Sequence, residues 1–151
     1  MTKSKRILAV ASGGGHWVQL MRLRPAFEGH AVSYVTVDQA YATDLDGERL
    51  YVVPDSNLTS KFGLLRTALA VFWVVLRVRP DVVLSTGAAP GWFSLVFGRW
   101  FGARTVWLDS IANAERLSKS GAQAGRYADL WLTQWPELAQ PDGPEFAGSV
   151  L

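Results

Sequence analysis

A glycine-rich loop between a predicted strand and a predicted helix constrains the fold of this chain most strongly. The apolar run Ile7–Ala11 precedes Ser12, Gly13, Gly14 and Gly15, and the apolar positions that follow the loop have helical spacing. Glycine permits positive φ and close approach of a ligand to the main chain. The unpaired amides of a first helical turn attract anions. The pattern predicts a strand–turn–helix unit whose four loop residues bind a phosphate group. The alternative is a tight turn that binds nothing.

His16 ends this loop, where its imidazole would lie beside a bound anion. A histidine there can act as a general base or as a donor to an oxyanion. It is therefore a candidate catalytic residue, with helix capping or packing as the alternative.

Two familiar nucleotide-binding loops match this one poorly. The phosphate loop of nucleoside triphosphatases needs Lys and then Ser or Thr after its last glycine, where this chain has His16 and Trp17. The dinucleotide fingerprint needs a later glycine where Val18 stands. Asp38 follows the second predicted strand and could bind a ribose, so a self-contained NAD-type enzyme stays an alternative.

Composition limits the classes of protein to which this chain can belong. A chain of 151 residues with 49% hydrophobic content is predicted to form a single domain over residues 1–151. It has no cysteine, which excludes disulfides, thiolate zinc sites and a cysteine nucleophile. No metal site is expected. The apolar run that precedes the glycines is too short for a signal peptide or a spanning helix.

The rest of the chain alternates predicted strands and helices. The predicted strands are Ile7–Ala11, Ala31–Val37, Leu50–Val53, Asp81–Ser85, Thr105–Leu108 and Leu130–Thr133. The predicted helices are Trp17–Phe27, Ser60–Val78, Trp92–Phe101 and the short Ala124–Ala128, and the polar stretch Gln39–Glu48 is expected to be a mobile loop. Such alternation with short connections predicts an α/β fold with one doubly wound, Rossmann-like parallel sheet.

Ligands of such sheets bind beyond the carboxyl ends of the strands. The loops that leave those ends carry His16, Thr86, Asp109, Asn113 and Gln134. We expect these side chains to share one cleft, with Asp109 as a second candidate catalytic residue. For Thr86 and Gln134 the alternative is ordinary hydrogen bonding at a strand end, and for Asp109 it is helix capping.

The helix predicted over Ser60–Val78 has two apolar faces. One carries Leu64, Ala68, Val71, Val75 and Val78 and is expected to pack on the sheet. The opposite stripe consists of Phe62, Arg66, Leu69, Trp73 and Arg77.

Arginines between bulky apolar side chains favour contact with an anionic membrane surface. Contact with a protein partner and burial under a neighbouring helix are the alternatives. Aromatic residues of the next helix (Trp92, Phe93, Phe97, Trp100 and Phe101) would widen the stripe. Nucleic acid is not an expected partner, because these aromatics lie on helices rather than on a stacking sheet.

Several segments together resemble one known family. They are Ser12-Gly-Gly-Gly-His16, Arg79-Pro-Asp-Val-Val83, Ser85-Thr-Gly87, Asp109-Ser-Ile-Ala-Asn113, Ser118-Lys-Ser-Gly121 and Ala128-Asp-Leu-Trp-Leu-Thr-Gln-Trp-Pro-Glu-Leu138. The similarity covers nearly the whole chain, and Gln-Trp-Pro-Glu-Leu is its most specific part. On these motifs the chain resembles the asparagine-linked glycosylation protein 14 family, whose bacterial members work in exopolysaccharide and capsule synthesis.

The resemblance implies the acceptor half of a two-domain GT-B glycosyltransferase. Such a subunit holds a polyprenyl-diphosphate-linked sugar at the membrane. A separate catalytic subunit binds the nucleotide sugar, and transfer inverts the anomeric carbon without a metal ion. By position, Gly13, Gly14 and Gly15 would contact the acceptor diphosphate, with Thr86 and Gly87 as the second wall of the site. The expected location is the cytoplasmic face of the plasma membrane, with no cofactor bound by this subunit.

The chain departs from the family pattern at two places. The family usually has Glu-Ser where Asp109 and Ser110 stand, and a shorter carboxylate weakens a catalytic role there. Eukaryotic members begin with a spanning anchor, which is not seen here, so attachment is expected through the helix face or the partner. A non-catalytic membrane adaptor is the third alternative.

Overall fold

The computed structural model describes residues 3–57 and 59–150, which form a seven-stranded, wholly parallel sheet. The strands are β1 (Arg6–Val10), β2 (Ala31–Thr36), β3 (Arg49–Val52), β4 (Val82–Ser85), β5 (Arg104–Leu108), β6 (Leu130–Thr133) and β7 (Glu145–Phe146). Their order across the sheet is β3-β2-β1-β4-β5-β6-β7. The predicted α/β fold with a doubly wound sheet is confirmed. The strand order reverses between β1 and β4, which is where such sheets bind ligands.

Among the described residues, four helices cover the sheet, and three short 3-10 segments lie in the connections. The helices are α1 (Gly15–Arg22), α2 (Lys61–Val78), α3 (Ala88–Trp100) and α4 (Lys119–Ala124), and the 3-10 segments are Arg24–Phe27, Gln39–Asp44 and Pro136–Leu138.

Helix bounds differ from the predicted ones for local reasons. The first helix ends at Arg22 because Pro25 has no amide hydrogen to continue it. The third begins at Ala88 instead of Trp92, since Pro90 fits a first helical turn, where its missing donor costs nothing. The fourth precedes its predicted position because Ser118 caps it by accepting from Gly121 N. The two-residue strand β7 was not predicted.

Side chains of alternate residues divide the core into two layers. On β1, Leu8 and Val10 pack with α2 and α3, whereas Ile7 and Ala9 pack with Trp17 of α1 on the other face. This is the period-two alternation of a strand covered on both faces. The sheet is therefore covered by helices on both faces.

The segment Gln39–Glu48 is ordered, which corrects the expectation of a mobile loop. Its first part is a 3-10 segment, and Asp44 accepts a hydrogen bond of 2.8 Å from the indole of the buried Trp17. The ring of Tyr41 lies 5.0 Å from that of Trp17. These contacts bridge 24 to 27 residues of chain, and no local pattern indicates them.

Helix α2 has one buried and one exposed face. Thr67, Val71, Val74 and Val75 are buried, so two of these positions differ from the predicted core stripe, in which Leu64, Ala68 and Val78 are only half-buried. Thr67 reaches the core because its hydroxyl donates to the Pro54 carbonyl at 2.8 Å.

The predicted outer stripe of α2 is exposed. Phe62, Leu69 and Trp73 are 72%, 61% and 62% accessible, and Arg66 and Arg77 lie between them. Trp100 and Phe101 at the end of α3 are also exposed, whereas Trp92, Phe93 and Phe97 are half-buried. Burial under a neighbouring helix is therefore excluded for the stripe. In the described part of the chain, every helix falls short of the length and apolarity that crossing a bilayer requires.

Candidate functional site

The glycine loop leads into α1, and amides of the first helical turn are left without an acceptor among the described residues. Gly14 has a φ of +64° and donates its amide to the Tyr41 hydroxyl at 2.8 Å. The amides of Gly15 and His16 have no acceptor among the described residues. Gly15 is exposed, and no atom lies within 4 Å of the position that a Cβ would take there. The loop thus presents the open end of α1 at the carboxyl edge of the sheet.

The imidazole of His16 is held by the loop that follows β4. Its Nδ1 lies 2.9 Å from the Thr86 carbonyl oxygen, and the Thr86 hydroxyl donates back to the His16 carbonyl at 2.6 Å. A carbonyl only accepts, so in the neutral ring Nδ1 carries the proton and Nε2 carries the lone pair. Gly87 has a φ of +140°, and a Cβ there would lie 2.5 Å from the ring. The ring can take this position only because residue 87 has no side chain.

Thr86 and Gly87 are themselves buried, and their polar groups are used inside the protein. The Gly87 amide donates to the Ser85 hydroxyl at 3.1 Å, and the Thr86 amide donates to the Val10 carbonyl. The structure therefore places these two residues behind His16 rather than on the surface of the cleft.

Asp109 lies below the cleft with only 1% of its surface accessible. Its carboxylate accepts from the Trp107 indole (3.2 Å), the Asn113 amide (3.4 Å), and the backbone amide and hydroxyl of Ser118 (3.0 and 2.7 Å). A Cβ at Gly121 would collide with this carboxylate. These bonds tie the end of β5 to the start of α4 and leave no carboxylate oxygen facing the cleft.

Gln134 is fully buried and also lies outside the cleft. Its amide nitrogen donates to Gln19 Oε1 at 2.9 Å and to the Asp109 carbonyl at 3.0 Å, while its side-chain oxygen accepts from the Val150 amide at 2.8 Å. It joins α1, the loop after β5 and the last described residues of the chain.

A cavity of about 310 Å³ opens where the loops after β1, β4 and β5 meet. It is lined by His16, Ala88, Ser110, Ala112, Asn113, Ser118, Lys119 and Ser120. Of the residues predicted to share a cleft, only His16 and Asn113 line it. Residues from the first turns of α1, α3 and α4 all reach it, and Lys119 supplies a cationic side chain. We refer to it as the polar cavity.

Lys119 and Ser120 were not predicted as site residues. They belong to the segment Ser118-Lys-Ser-Gly121, which was recognised as part of the family resemblance and whose Ser-x-x-Gly spacing marks a helix start without indicating a ligand. Sequence reasoning also missed Gln19, which is 3% accessible and supports the floor of the site through Ser110 and Gln134.

A second cavity of about 300 Å³ adjoins the first. Its lining is mostly apolar, with Leu64 of α2 and Ala89, Trp92 and Phe93 of α3, and it shares Lys119 and Ser120 with the polar cavity. We refer to it as the apolar cavity. The buried Trp92 Nε1 has no acceptor among the described residues.

The described residues contain no group of three or more His, Asp or Glu side chains that is arranged to hold a metal ion.

Curated proteins similar to this chain share a common description. The chain is 25% identical to the UDP-N-acetylglucosamine transferase subunit ALG14 of Rattus norvegicus, over 91% of this chain and 79% of that protein. It is 27% identical to the UDP-N-acetylglucosamine transferase subunit alg14 of Schizosaccharomyces pombe, over 89% of this chain and 78% of that protein.

Solved structures with the same fold are about twice as long. MurG of Acinetobacter baumannii matches with a TM-score of 0.77 at 14% identity, over 95% of this chain and 45% of that one. A glycosyltransferase from Rickettsia africae matches with a TM-score of 0.67 at 15% identity, over 97% of this chain and 43% of that one. At such identities the match shows the fold alone. This chain therefore has the fold of one Rossmann-like half of a GT-B glycosyltransferase.

The family model described as oligosaccharide biosynthesis protein Alg14 like matches residues 45–150, which is more than half of the chain. This range contains Thr86, Asp109, Asn113 and Lys119, and the glycine loop precedes it. With the curated relatives above, which match about nine-tenths of the chain, this match shows that the protein is a member of the Alg14-like family.

Proposed function

We propose that this protein is the acceptor-binding subunit of a two-component, inverting glycosyltransferase. Its acceptor would be a saccharide linked to a polyprenyl diphosphate, and its partner a subunit that binds the nucleotide sugar. The observation that carries the proposal is the polar cavity, where the open end of α1, the Lys119 ammonium and the His16 imidazole lie beside an apolar cavity. The curated relatives, which are named as transferase subunits, support the same role.

The polar cavity suits a diphosphate. The free amides of Gly15 and His16 stand at the positive end of the α1 dipole, and Lys119 adds a full positive charge from another side. Hydrogen bonds from charged groups to phosphate oxygens are among the stronger polar contacts in proteins. Ser12, Gly13 and Gly14 shape the turn, and Asn113 offers a side-chain amide to the sugar.

The apolar cavity suits the first part of a lipid chain. A diphosphate near Lys119 would carry its lipid directly into the space between Leu64, Trp92 and Phe93, because the two cavities share Lys119 and Ser120. Leu64 belongs to α2, whose outer stripe is exposed. The lipid would thus run from the reacting end of the acceptor towards the membrane-facing helix.

His16 is our candidate general base. Its Nε2 has a lone pair while Nδ1 donates to the Thr86 carbonyl. In the proposed step, the acceptor hydroxyl loses its proton to Nε2 while its oxygen forms a bond to the anomeric carbon of the donor. The bond from that carbon to the nucleoside diphosphate breaks, and the diphosphate leaves with the electron pair. A single displacement inverts the anomeric centre.

We propose a positioning role for Asp109, in place of the catalytic role expected from sequence. Its carboxylate has four donors inside the protein and lies under Asn113 and Ser118, which line the polar cavity. Thr86, Gly87 and Gln134 act in the same way, by fixing His16 and the loops around it.

The donor sugar is proposed to bind on the partner. Positioning of the two reactants supplies much of the rate of a transfer reaction, and the described residues offer one wall of a cleft. The chain covers less than half the length of the solved structures to which it is similar. We therefore expect no resident cofactor and a heterodimer whose interface runs along the carboxyl edge of the sheet. A peripheral position on the cytoplasmic face of the plasma membrane belongs to the same proposal.

Reconstitution tests this function. The chain would be purified alone and together with the product of a neighbouring gene that encodes a nucleotide-sugar-binding half. Each preparation would receive labelled UDP-N-acetylglucosamine and a short polyprenyl-diphosphate sugar. We expect transfer only by the pair. Robust transfer by the isolated chain would contradict the half-enzyme proposal. Stable vesicle binding with no transfer by either preparation would favour the non-catalytic adaptor.

The NAD-type alternative has less support in the structure. The Tyr41 hydroxyl already accepts from the Gly14 amide, which a dinucleotide diphosphate would need. Asp38, the candidate ribose ligand, accepts from the Ala40 amide and caps the 3-10 segment that follows. Titration with NAD and NADP separates the two proposals, because micromolar binding by the isolated chain would favour the dehydrogenase class.

A further inference from the structure

A cavity of about 620 Å³ lies at the amino edge of the sheet, opposite the candidate functional site. Its lining comes from the starts of β1 and β5 and from the ends of α2 and α3. Lys5, Arg6, Arg79 and Arg104 provide cationic side chains, and Leu76 and Phe101 provide apolar ones. None of these residues takes part in the transfer proposed above.

The cavity carries excess positive charge. Asp81 is the one acidic lining residue, and it is held by Arg6, whose guanidinium lies 3.2 Å from the carboxylate and whose amide donates to it at 2.8 Å. These hydrogen bonds keep the pKa of Asp81 below its usual range. Within the described residues, no carboxylate lies within 4 Å of Lys5, Arg79 or Arg104.

These cations converge from separate elements. Lys5 precedes β1, Arg104 begins β5, and Arg79 follows the last residue of α2. Complementing the helix dipole would explain a basic residue at the end of α2, but it does not explain the residues at the two strands. Arg79 has a φ of +50°, a conformation that costs a non-glycine residue free energy. Glycine is the usual residue at such a helix end, whereas here an arginine side chain reaches the cavity.

The rim of the cavity adjoins the exposed apolar side chains at the ends of α2 and α3. Leu76 and Phe101 are 37% and 51% accessible, and Trp73 and Trp100, on the same helices, are more exposed still. Binding of a small soluble anion would require only the cationic side chains. A lipid head group needs charges and, directly beside them, apolar side chains that can enter the interface.

We propose that this cavity binds the phosphoryl head group of an anionic membrane lipid. Arg79 and Arg104 would hold the phosphate oxygens, since guanidinium groups match their geometry with paired hydrogen bonds. Bound in this way, the lipid anchors the end of α2 at the membrane while the other end of α2 lies beside the apolar cavity. This site is independent of the acceptor and of the partner subunit.

Flotation with lipid vesicles tests the site. The probe is a vesicle of phosphatidylcholine with 30% phosphatidylglycerol, as an experimental choice, compared with phosphatidylcholine alone. The test variant is Arg79→Gln with Arg104→Gln. The matched control is Arg49→Gln with Arg126→Gln, which removes the same charge at exposed positions outside the cavity. Circular dichroism would check that both variants fold, and Lys5→Gln with Arg104→Gln would replace the test variant if it does not.

We expect the test variant to bind the anionic vesicles about 30-fold more weakly than the unmodified protein, because each of the two basic residues at such a surface contributes about fivefold to the affinity. The affinity of the control variant for the same vesicles should fall less than threefold. Equal losses by both variants would mean that only total charge matters, and would overturn the site.

Two further measurements test whether the bound group is a lipid and whether its charge matters. Equal binding of the unmodified protein to both vesicle types would also overturn the proposal. Inorganic phosphate identifies a soluble ligand: tight phosphate binding that the test variant loses, without loss of vesicle binding, would contradict the lipid assignment. Transfer to a detergent-soluble acceptor should be unchanged in the test variant, so failure of this site and failure of the proposed function give different results.

Discussion

His16 and Thr86 are joined by two hydrogen bonds that run in opposite directions. The imidazole Nδ1 lies 2.9 Å from the Thr86 carbonyl oxygen, and the Thr86 hydroxyl donates to the His16 carbonyl at 2.6 Å. The pair connects the start of α1 to the loop before α3, across the point where the strand order reverses. These bonds orient the imidazole ring and place the proton of the neutral ring on Nδ1. Thr86 therefore positions the group that we propose as the base.

The first prediction concerns this pair. His16→Ala in the reconstituted heterodimer should lower kcat by about 10²–10⁴-fold, as expected for loss of a general base. Thr86→Val keeps the carbonyl and removes only the hydroxyl bond, so its loss should be roughly tenfold, in line with one hydrogen bond. Steady-state transfer assays with saturating donor and acceptor measure both. A loss below threefold for His16→Ala would reduce the histidine to a structural residue.

The second prediction concerns the open end of α1. Gly15→Val places a side chain where no atom lies within 4 Å of the added Cβ, so the fold should tolerate it, while the approach of a diphosphate to the helix amides is blocked. We expect acceptor affinity to fall at least tenfold with an unchanged unfolding midpoint. Titration with a short polyprenyl-diphosphate sugar measures the affinity.

Gly14→Val is a less direct version of this test. The φ of +64° at Gly14 is unfavourable for a β-branched residue, so this variant should also lose stability. Unchanged acceptor affinity in Gly15→Val would count against phosphate binding by the loop.

The third prediction separates a positioning role from a catalytic role for Asp109. Asp109→Asn should lower the free energy of unfolding by about 2–3 kcal/mol, because the carboxylate accepts four internal hydrogen bonds and an amide cannot accept all of them. Asp142→Asn, on the exposed surface, is the control. Urea unfolding gives both values. Unchanged stability together with a large loss of kcat would restore the catalytic assignment.

The fourth prediction concerns the exposed stripe of α2. Trp73→Ala should weaken binding to anionic vesicles at every salt concentration, since the side chain is 62% accessible and contributes apolar area. Arg66→Glu with Arg77→Glu should weaken it at low salt, with an effect that fades as salt rises. Flotation at 0.05 and 0.5 M salt, as experimental conditions, distinguishes the two. Equal flotation of the charge-reversal variant and the unmodified protein would exclude this face as the contact.

Local sequence patterns were sufficient to predict the fold and the approximate location of the candidate site. Strand periodicity, the glycine loop and the short connections predicted a parallel sheet, and the ends of parallel strands meet at one edge. His16 and Asn113 were predicted to share a cleft and line one cavity. The outer stripe of α2 was predicted from helical spacing and is exposed. These features depend on residues close together in sequence.

The roles of individual polar groups were decided by contacts between distant segments. The Tyr41 hydroxyl accepts a hydrogen bond from the Gly14 amide, 27 residues away in the sequence. The Gln134 side chain donates to that of Gln19, 115 residues away. A side chain's ability to bind a ligand depends on whether the protein already uses its donors and acceptors.

By itself, the sequence determined the sheet, the glycine loop at the start of α1 and the exposed apolar stripe of α2, because backbone preference and amphipathic spacing act over a few residues. The tertiary structure alone decided that Asp109 and Gln134 are buried inside, while Lys119 stands at the cavity. Burial depends on which distant segments pack together, and a carboxylate beside a strand has the same local pattern whether it faces a ligand or a neighbouring helix.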